Sequence, residues 1–434
     1  MIDDQKPSAT LNLLSLLGEL LRKLWAPFGT MFLFIRYYQN RIHVLDHDAF
    51  GTFNTDADSL LLRSMNRVRP RRRGELTVVI FPKEVANETC RVLFLREMLR
   101  CDDLIVLDSR GSATVYFAER VLRRVVRSEG RLPQFGLRLS AQVDGGSFEF
   151  APNFVEPRPL IGFTKDEEDA GWCSIEELGI PRGSPYICFN VRDSAYGSEK
   201  FSWNLEHNAF HAHRNPPYEN FEAAIKYLLQ DGYYVIHMGK VVSGPFPIEH
   251  PHFMPYAGTS LRSDFLDVFL YAHCALAVQG GGSGIDALAS IFNKPLCTTD
   301  AIPMWAYLHV PSNTGLRVTV PALLENKADG RILNAREMAT AGFVDSEKYA
   351  TAGIRVVPNT STEILSAVKF TLIAIRLHES SLQPVSRYNV EFWNQYLGSR
   401  SSQGFPRPPK ARAIGKSVFI PEDFLEAHSR ELLE

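Results

Sequence analysis

Phosphate chemistry is the first thing the residue order suggests, because a glycine turn and several cations fall where a parallel α/β fold would bring them to one edge. The stretch ALAVQGGGSGIDAL, residues 275–288, reads as a buried strand, a glycine turn and a helix start. A strand that empties into glycines and then a helix leaves several backbone N–H groups unpaired at one point, which is how α/β proteins hold phosphate. Gly281, Gly282, Ser283 and Gly284 would form that turn, and Asp286 would hold a ribose or sugar hydroxyl. Asn190, Arg192, Asp193 and Tyr196 follow one expected strand, Gly239 and Lys240 another, and Arg262, Ser263 and Asp264 open a helix. Arg192, Lys240 and Arg262 are read as converging on a diphosphate, with guanidinium forks matching phosphate oxygens. The competing reading makes Ser263 and Asp264 simple helix caps and Arg192 one half of a surface ion pair.

Other polar groups are weighed in the same way. Arg214 and Asn215 close a loop that also holds His207, His211 and His213, and are read as donor or phosphate contacts. The histidine spacing matches no standard zinc site, so no metal is expected. Chemistry on a hydroxyl at such a site would also need a base. Asp46, His47, Asp48 and Asp56 follow the first expected strand, and Asp48, Asp56 and Asp193 are the candidate catalytic carboxylates. The Asp56-Ala57-Asp58 triplet reads better as a capped helix start than as a strand-end metal pair. Arginine and backbone N–H groups can stabilise a departing diphosphate without metal or other cofactor.

The elements that must position these residues alternate. Strands are expected at 41–45, 76–81 and 104–108, a loop containing Gly51 at 46–55, and helices at 87–100 and 113–127. A Pro-bearing stretch at 151–159 and a bridging helix at 167–178 separate this series from a second one. There, strands at 186–191, 233–238, 274–278 and 296–298 alternate with helices at 218–230, 263–272 and 285–292, and a long helix follows at 360–375. Such alternation implies parallel, doubly wound sheets. The fold expectation is α/β, two Rossmann-like domains facing across a cleft. Its parts are an amphipathic helical segment at 1–40, a first Rossmann-like domain at 41–165 and a second at 166–376. A tail at 377–434 is expected to return toward the first domain.

With 434 residues, 45% hydrophobic and 22% charged, the chain has ordinary globular composition and room for two cores. A net charge of −2 argues against a nucleic-acid partner. The charge is uneven, with 22 Lys and Arg against 16 Asp and Glu in residues 1–140, which suits an anionic lipid surface or an acidic acceptor. The arginine run from Arg67 to Arg73 reads as a solvated loop or a headgroup contact. Six cysteines without a C-x-x-C pair point to a reduced, cytoplasmic chain. No cleavable leader is expected. The leucine stripe at 11–24, followed by an apolar run broken by Pro27 and Gly29, is too short to span a bilayer. It reads either as a helix packed on the body or as one lying peripherally on the inner face of the plasma membrane.

Four ordered blocks carry a resemblance: CFNVRDSAY at 188–196; Arg214-Asn215 with Asn220-Phe221 and GYYVIHMG at 232–239; LRSDFLD at 261–267; and GSGID at 282–286. Together they resemble a bacterial family of glycosyltransferases with the two-domain GT-B architecture, although that family's pattern has an arginine where this chain has His237. The resemblance implies a carboxyl-terminal domain that binds a nucleotide-sugar donor. It also implies an amino-terminal domain for a glycan or glycolipid acceptor, in bacterial surface polysaccharide assembly. The alternatives are a nucleotide-sugar epimerase of similar architecture and a non-enzymatic carbohydrate-binding scaffold.

Overall fold

The computed structural model describes residues 25–33, 41–45, 50–65, 76–129, 137–139, 159–195, 209–244, 246–307, 316–343, 345–377, 386–401 and 418–434. Two compact units divide the chain, residues 1–87 with 94–144, and 88–93 with 145–434. Each contains a parallel sheet.

In the first unit β1 (Arg41–Val44), β2 (Thr77–Phe81), β3 (Leu104–Asp108) and β4 (Leu137–Leu139) lie in the order β3-β2-β1-β4, all parallel. Ile42, Val44, Val78 and Ile80 meet Val115 and Leu122 of the helix Ala113–Glu129, so the apolar strands bury their faces against a crossover helix. The loop expected at 46–55 is shorter than the sequence suggests, because Phe50–Met65 is helical. Phe53, Ala57, Leu60 and Leu61 are its buried stripe, at the spacing one helix face requires. The Asp56-Ala57-Asp58 triplet therefore lies inside a helix and is neither a cap nor a strand-end pair. Asp48, Tyr196, His207, residues 1–24 and the arginine run at 67–73 lie outside the described residues, as does the Asp56 side chain.

The second unit has six parallel strands: β5 (Tyr186–Val191), β6 (Tyr234–His237), β7 (Phe253–Met254), β8 (Leu276–Gly280), β9 (Leu296–Ala301) and β10 (Arg317–Pro321). Their order is β10-β9-β8-β5-β6-β7. The chain thus winds outward from β5 through β6 to β7, returns to lay β8 on the other flank of β5, and winds outward again. This is the strand order of the Rossmann fold, and it creates a switch point between the carboxyl ends of β5 and β8 where ligands bind in such sheets. All six residues of β5 are buried, as a central parallel strand covered on both faces must be.

β8 sits two residues later than the sequence suggests. Gln279 pairs with Asn190 and Thr298, and Gly280 with Val191 and Thr299, so the ladder on both flanks carries the strand on into the glycines. β10 gave little signal because it is a short edge strand ending in Pro321, a residue that only sheet edges tolerate. An antiparallel pair, β11 (Leu323–Asn326) with β12 (Ile354–Val357), follows. Asn359 then ties β9 to β10, accepting from the Asp300 N–H at 2.6 Å and donating to the Pro321 carbonyl at 2.9 Å. The helix Ser361–Arg376 opens on a Thr360–Glu363 capping box.

The helix Arg387–Ser401 of the carboxyl-terminal segment packs within the second unit. Phe392, Trp393, Tyr396 and Leu397 of the helix Arg387–Ser401 join the core that holds Val320, Leu324 and Met338. Four large apolar groups in six residues are satisfied by the nearest apolar surface, and β10 and the helix Ala335–Thr340 supply it. Phe392→Ala should therefore cost about 3–5 kcal/mol, read as a lower urea midpoint for the second unit. A near-neutral result would mean that this helix is not part of that core.

Candidate functional site

The carboxyl ends of β5 and β8 hold the site. Beyond the last residue of β5 the Arg192 N–H still donates to the Gly280 carbonyl at 3.0 Å, which fixes this arginine beside the glycine turn. Its Nη1 donates to Asn215 Oδ1 and, at 3.5 Å, to the His211 carbonyl. Arg214 approaches the same turn from the short 3-10 helix Ala212–Arg214, with Nε on the Gly281 carbonyl at 3.3 Å and Nη2 on the Gly282 carbonyl at 2.7 Å. Neither arginine forms an ion pair among the described residues. Burial, together with the Arg214 charge, pushes the Arg192 guanidinium down to about 10, so it remains a cation at neutral pH.

Two glycines of the turn are dictated by geometry. Gly281 and Gly282 have φ of +74° and +63°, the region that disfavours side chains. A Cβ on Gly281 would stand 1.9 Å from the Arg214 carbonyl oxygen, and one on Gly282 would stand 1.9 Å from the Tyr307 hydroxyl. The turn is therefore packed closely on the segment that delivers Arg214.

Asp286 has a different role from the one its position suggests. Its Oδ2 accepts the Ser283 N–H, so one donor of the turn is already taken by the protein's own carboxyl. The helix that follows, Asp286–Ile291, has only six residues. Burial pushes this carboxyl up to about 8 against the opposing pull of Ser283, Arg214 and Arg317, so it is largely protonated at neutral pH. The Ser283 and Gly281 N–H groups are thus bonded within the protein, and the Arg192 and Arg214 guanidinium groups stand beside the turn.

Asp193 is held by three donors. Ala195 N–H lies at 2.9 Å on Oδ1, while the Tyr218 hydroxyl at 2.5 Å and Ser243 N–H at 2.7 Å lie on Oδ2. That geometry suits a carboxylate that positions the β5 loop. Tyr218 was not singled out in the sequence, since one tyrosine at the start of a helical stretch gives no signal of its partner. His237 is buried beside Phe246 at 4.8 Å, and burial pushes its imidazole down to about 4, so it is neutral. His213 is also lowered to about 4, by burial first and then by Arg214, and its Nδ1 lies 2.8 Å from Ser346 Oγ.

Arg262 belongs to a separate network. It pairs with Asp264 at 3.3 Å and with Asp267, which also accepts from the Tyr256 hydroxyl at 2.8 Å. Lys240 reaches the same Asp264 at 3.7 Å. Ser263 caps the helix Asp264–His273 by accepting the Leu266 N–H at 3.1 Å. Among the described residues no bond joins this cluster to Arg192 or Arg214, and its two cations face the carboxylates of Asp264 and Asp267. Gly239, with φ of +151°, turns the chain after β6, and a Cβ there would lie 2.7 Å from Val242. Asn190 is buried in β5, and Gly284 precedes the short helix. Among the described residues no group of three His, Cys, Asp or Glu side chains could hold a metal ion.

No protein-family model and no curated protein matches the chain. Among solved structures, the glycosyl transferase family 9 protein from Veillonella parvula is similar over 77% of this chain and 97% of that one, at 12% identity and a TM-score of 0.38. The E. coli ADP-heptose LPS heptosyltransferase II is similar over 59% of this chain and 84% of that one, at 13% identity and a TM-score of 0.31. An iron-containing dodecameric glycosyltransferase from enterotoxigenic E. coli is similar over 60% and 58%, at 12% identity and a TM-score of 0.31. Superpositions at this level transfer no residue roles.

Two predictions follow from the turn. The Asp286 carboxyl is protonated when folded up to about pH 8 and ionises near pH 4 when unfolded, so the unfolded state binds fewer protons in between. Its contribution to stability is full below about pH 4 and is lost as pH rises toward 8. Asp286→Asn should remove that part of the slope in urea midpoints measured from pH 5 to 8, and an unchanged slope would refute the assignment. Gly282→Ala should destabilise by about 1–3 kcal/mol and displace Tyr307, seen as a lower melting temperature.

Proposed function

We propose that the protein is a glycosyltransferase that binds a nucleoside-diphosphate sugar at the carboxyl edge of the second sheet and passes the sugar to a glycan or glycolipid acceptor. The observation that carries this reading is the arginine pair: Arg192 and Arg214 stand at the switch point of a Rossmann-ordered sheet with no carboxylate ion-pair partner among the described residues. Two partly buried guanidinium groups beside each other repel, and a doubly charged anion such as a diphosphate relieves that repulsion. Of the four sequence blocks that resemble GT-B glycosyltransferases, the first runs off the end of β5 and the last follows β8, and the second contributes Arg214.

In this reading the pair serves the reaction as well as binding. As the bond to the sugar breaks, negative charge accumulates on the leaving diphosphate, and fixed guanidinium groups stabilise that charge without reorganising. The Gly281–Gly282 turn brings backbone close to the ligand, and Asp193 and Tyr218 hold the β5 loop that carries Arg192. The proposed chemistry needs no metal.

Isothermal titration with UDP-, GDP- and CMP-sugars tests the reading. At least one of the two diphosphate classes should bind while the monophosphate CMP-sugar does not, and Arg192→Lys and Arg214→Lys, which keep charge but lose the fork, should each weaken it about 10-fold or more. No binding across the panel by folded protein would overturn the proposal. Conversion of the donor sugar without any acceptor would replace it with the epimerase reading.

A further inference from the structure

Residues 25–33 are helical and present two unlike faces. On one, Ala26 and Thr30 are buried, and Thr30 Oγ1 lies 3.1 Å from the Thr114 carbonyl at the start of the helix Ala113–Glu129. Gly29 permits the close approach, since a Cβ there would stand 2.6 Å from Thr114 Oγ1. On the other face Trp25, Phe28, Met31 and Phe32 are 68%, 57%, 52% and 67% exposed. One face is thus fastened to the first unit while four large apolar groups remain in water.

We infer that this face is a docking surface for an anionic lipid bilayer. Side chains of this size expose together on the order of 500 Å², the size of the largest functional patches on soluble proteins. That is well below the roughly 800 Å² per partner of a stable protein interface, but ample for insertion among lipid headgroups. Charge complementarity points to the same occupant. Arg22, Lys23 and Arg36 flank the helix in sequence, no acidic residue lies between 20 and 45, and basic residues outnumber acidic ones over residues 1–140. Tryptophan and phenylalanine within a basic frame are the composition of an interfacial anchor. Among the described residues no helix is long and apolar enough to cross a membrane, so contact through this face is peripheral.

Flotation of the full chain with phosphatidylcholine vesicles, with and without 30% phosphatidylglycerol, tests the surface. The protein should float with the anionic vesicles, less with the neutral ones, and release as salt rises. Phe28→Ser with Phe32→Ser should lower the bound fraction at least 10-fold with unchanged melting temperature. Ile373→Ser, which removes an exposed apolar group from the second unit, should bind as the parent does. Retention of binding by the double variant would overturn the inference, as would failure of the parent chain to float. So would a dimer in sedimentation that the double variant abolishes, since a second copy would then be the occupant.

Discussion

Two like charges held side by side are the constraint around which the second unit is organised. Among the described residues Arg192 and Arg214 are fixed by carbonyl oxygens and by Asn215 and form no ion pair, so their positive charge is oriented there rather than cancelled. Keeping them close costs free energy that the rest of the fold must offset. It does so through a buried central strand, a ladder that continues past β5 into the Arg192 N–H, and a glycine turn that accepts the Arg214 fork on its carbonyls. Asp286 joins this economy as a mostly neutral carboxyl, which occupies one turn N–H without adding a full negative charge to the place where an anion would sit.

The same logic separates the second cation group from the first. Arg262 is matched by Asp264 and Asp267, and Lys240 leans on Asp264, so that cluster carries its own counter-charges and stabilises the start of the helix Asp264–His273. Asp267 lies in an otherwise apolar helix and is buried there because Arg262 and Tyr256 satisfy both its oxygens. Clusters of this kind serve local structure, and their neutrality leaves little pull on an outside anion. The arginine pair therefore has the distinct electrostatic role.

Much of the fold was legible because its signals are local. Apolar runs bounded by glycine and polar residues placed β1, β2, β3, β5 and β6 within a residue or two, and the Ser263 cap is the competing reading its residue type allowed. What escaped depended on partners far along the chain. Gly280 continues β8 only because Val191 and Thr299 flank it, and β10 is a strand by virtue of β9 on one side and Phe419 on the other. The Phe392–Trp393–Tyr396 cluster could be read as apolar, but not assigned to a surface before the helix Ala335–Thr340 was in place. At the site, sequence position correctly brought Arg192 to the glycine turn, since both lie at the ends of adjacent parallel strands. It did not reveal the carboxylates that Arg262 meets, because strand-end position says nothing about which acidic neighbours a side chain will find.

The most direct measurement of the account is a crystal structure with a bound nucleoside diphosphate, UDP or GDP. The account predicts diphosphate oxygens within hydrogen-bonding distance of both the Arg192 and Arg214 guanidinium groups, beside the Gly281–Gly282 turn, with Arg262 still paired to Asp267. A nucleotide bound elsewhere, or one whose phosphates touch neither arginine, would contradict it.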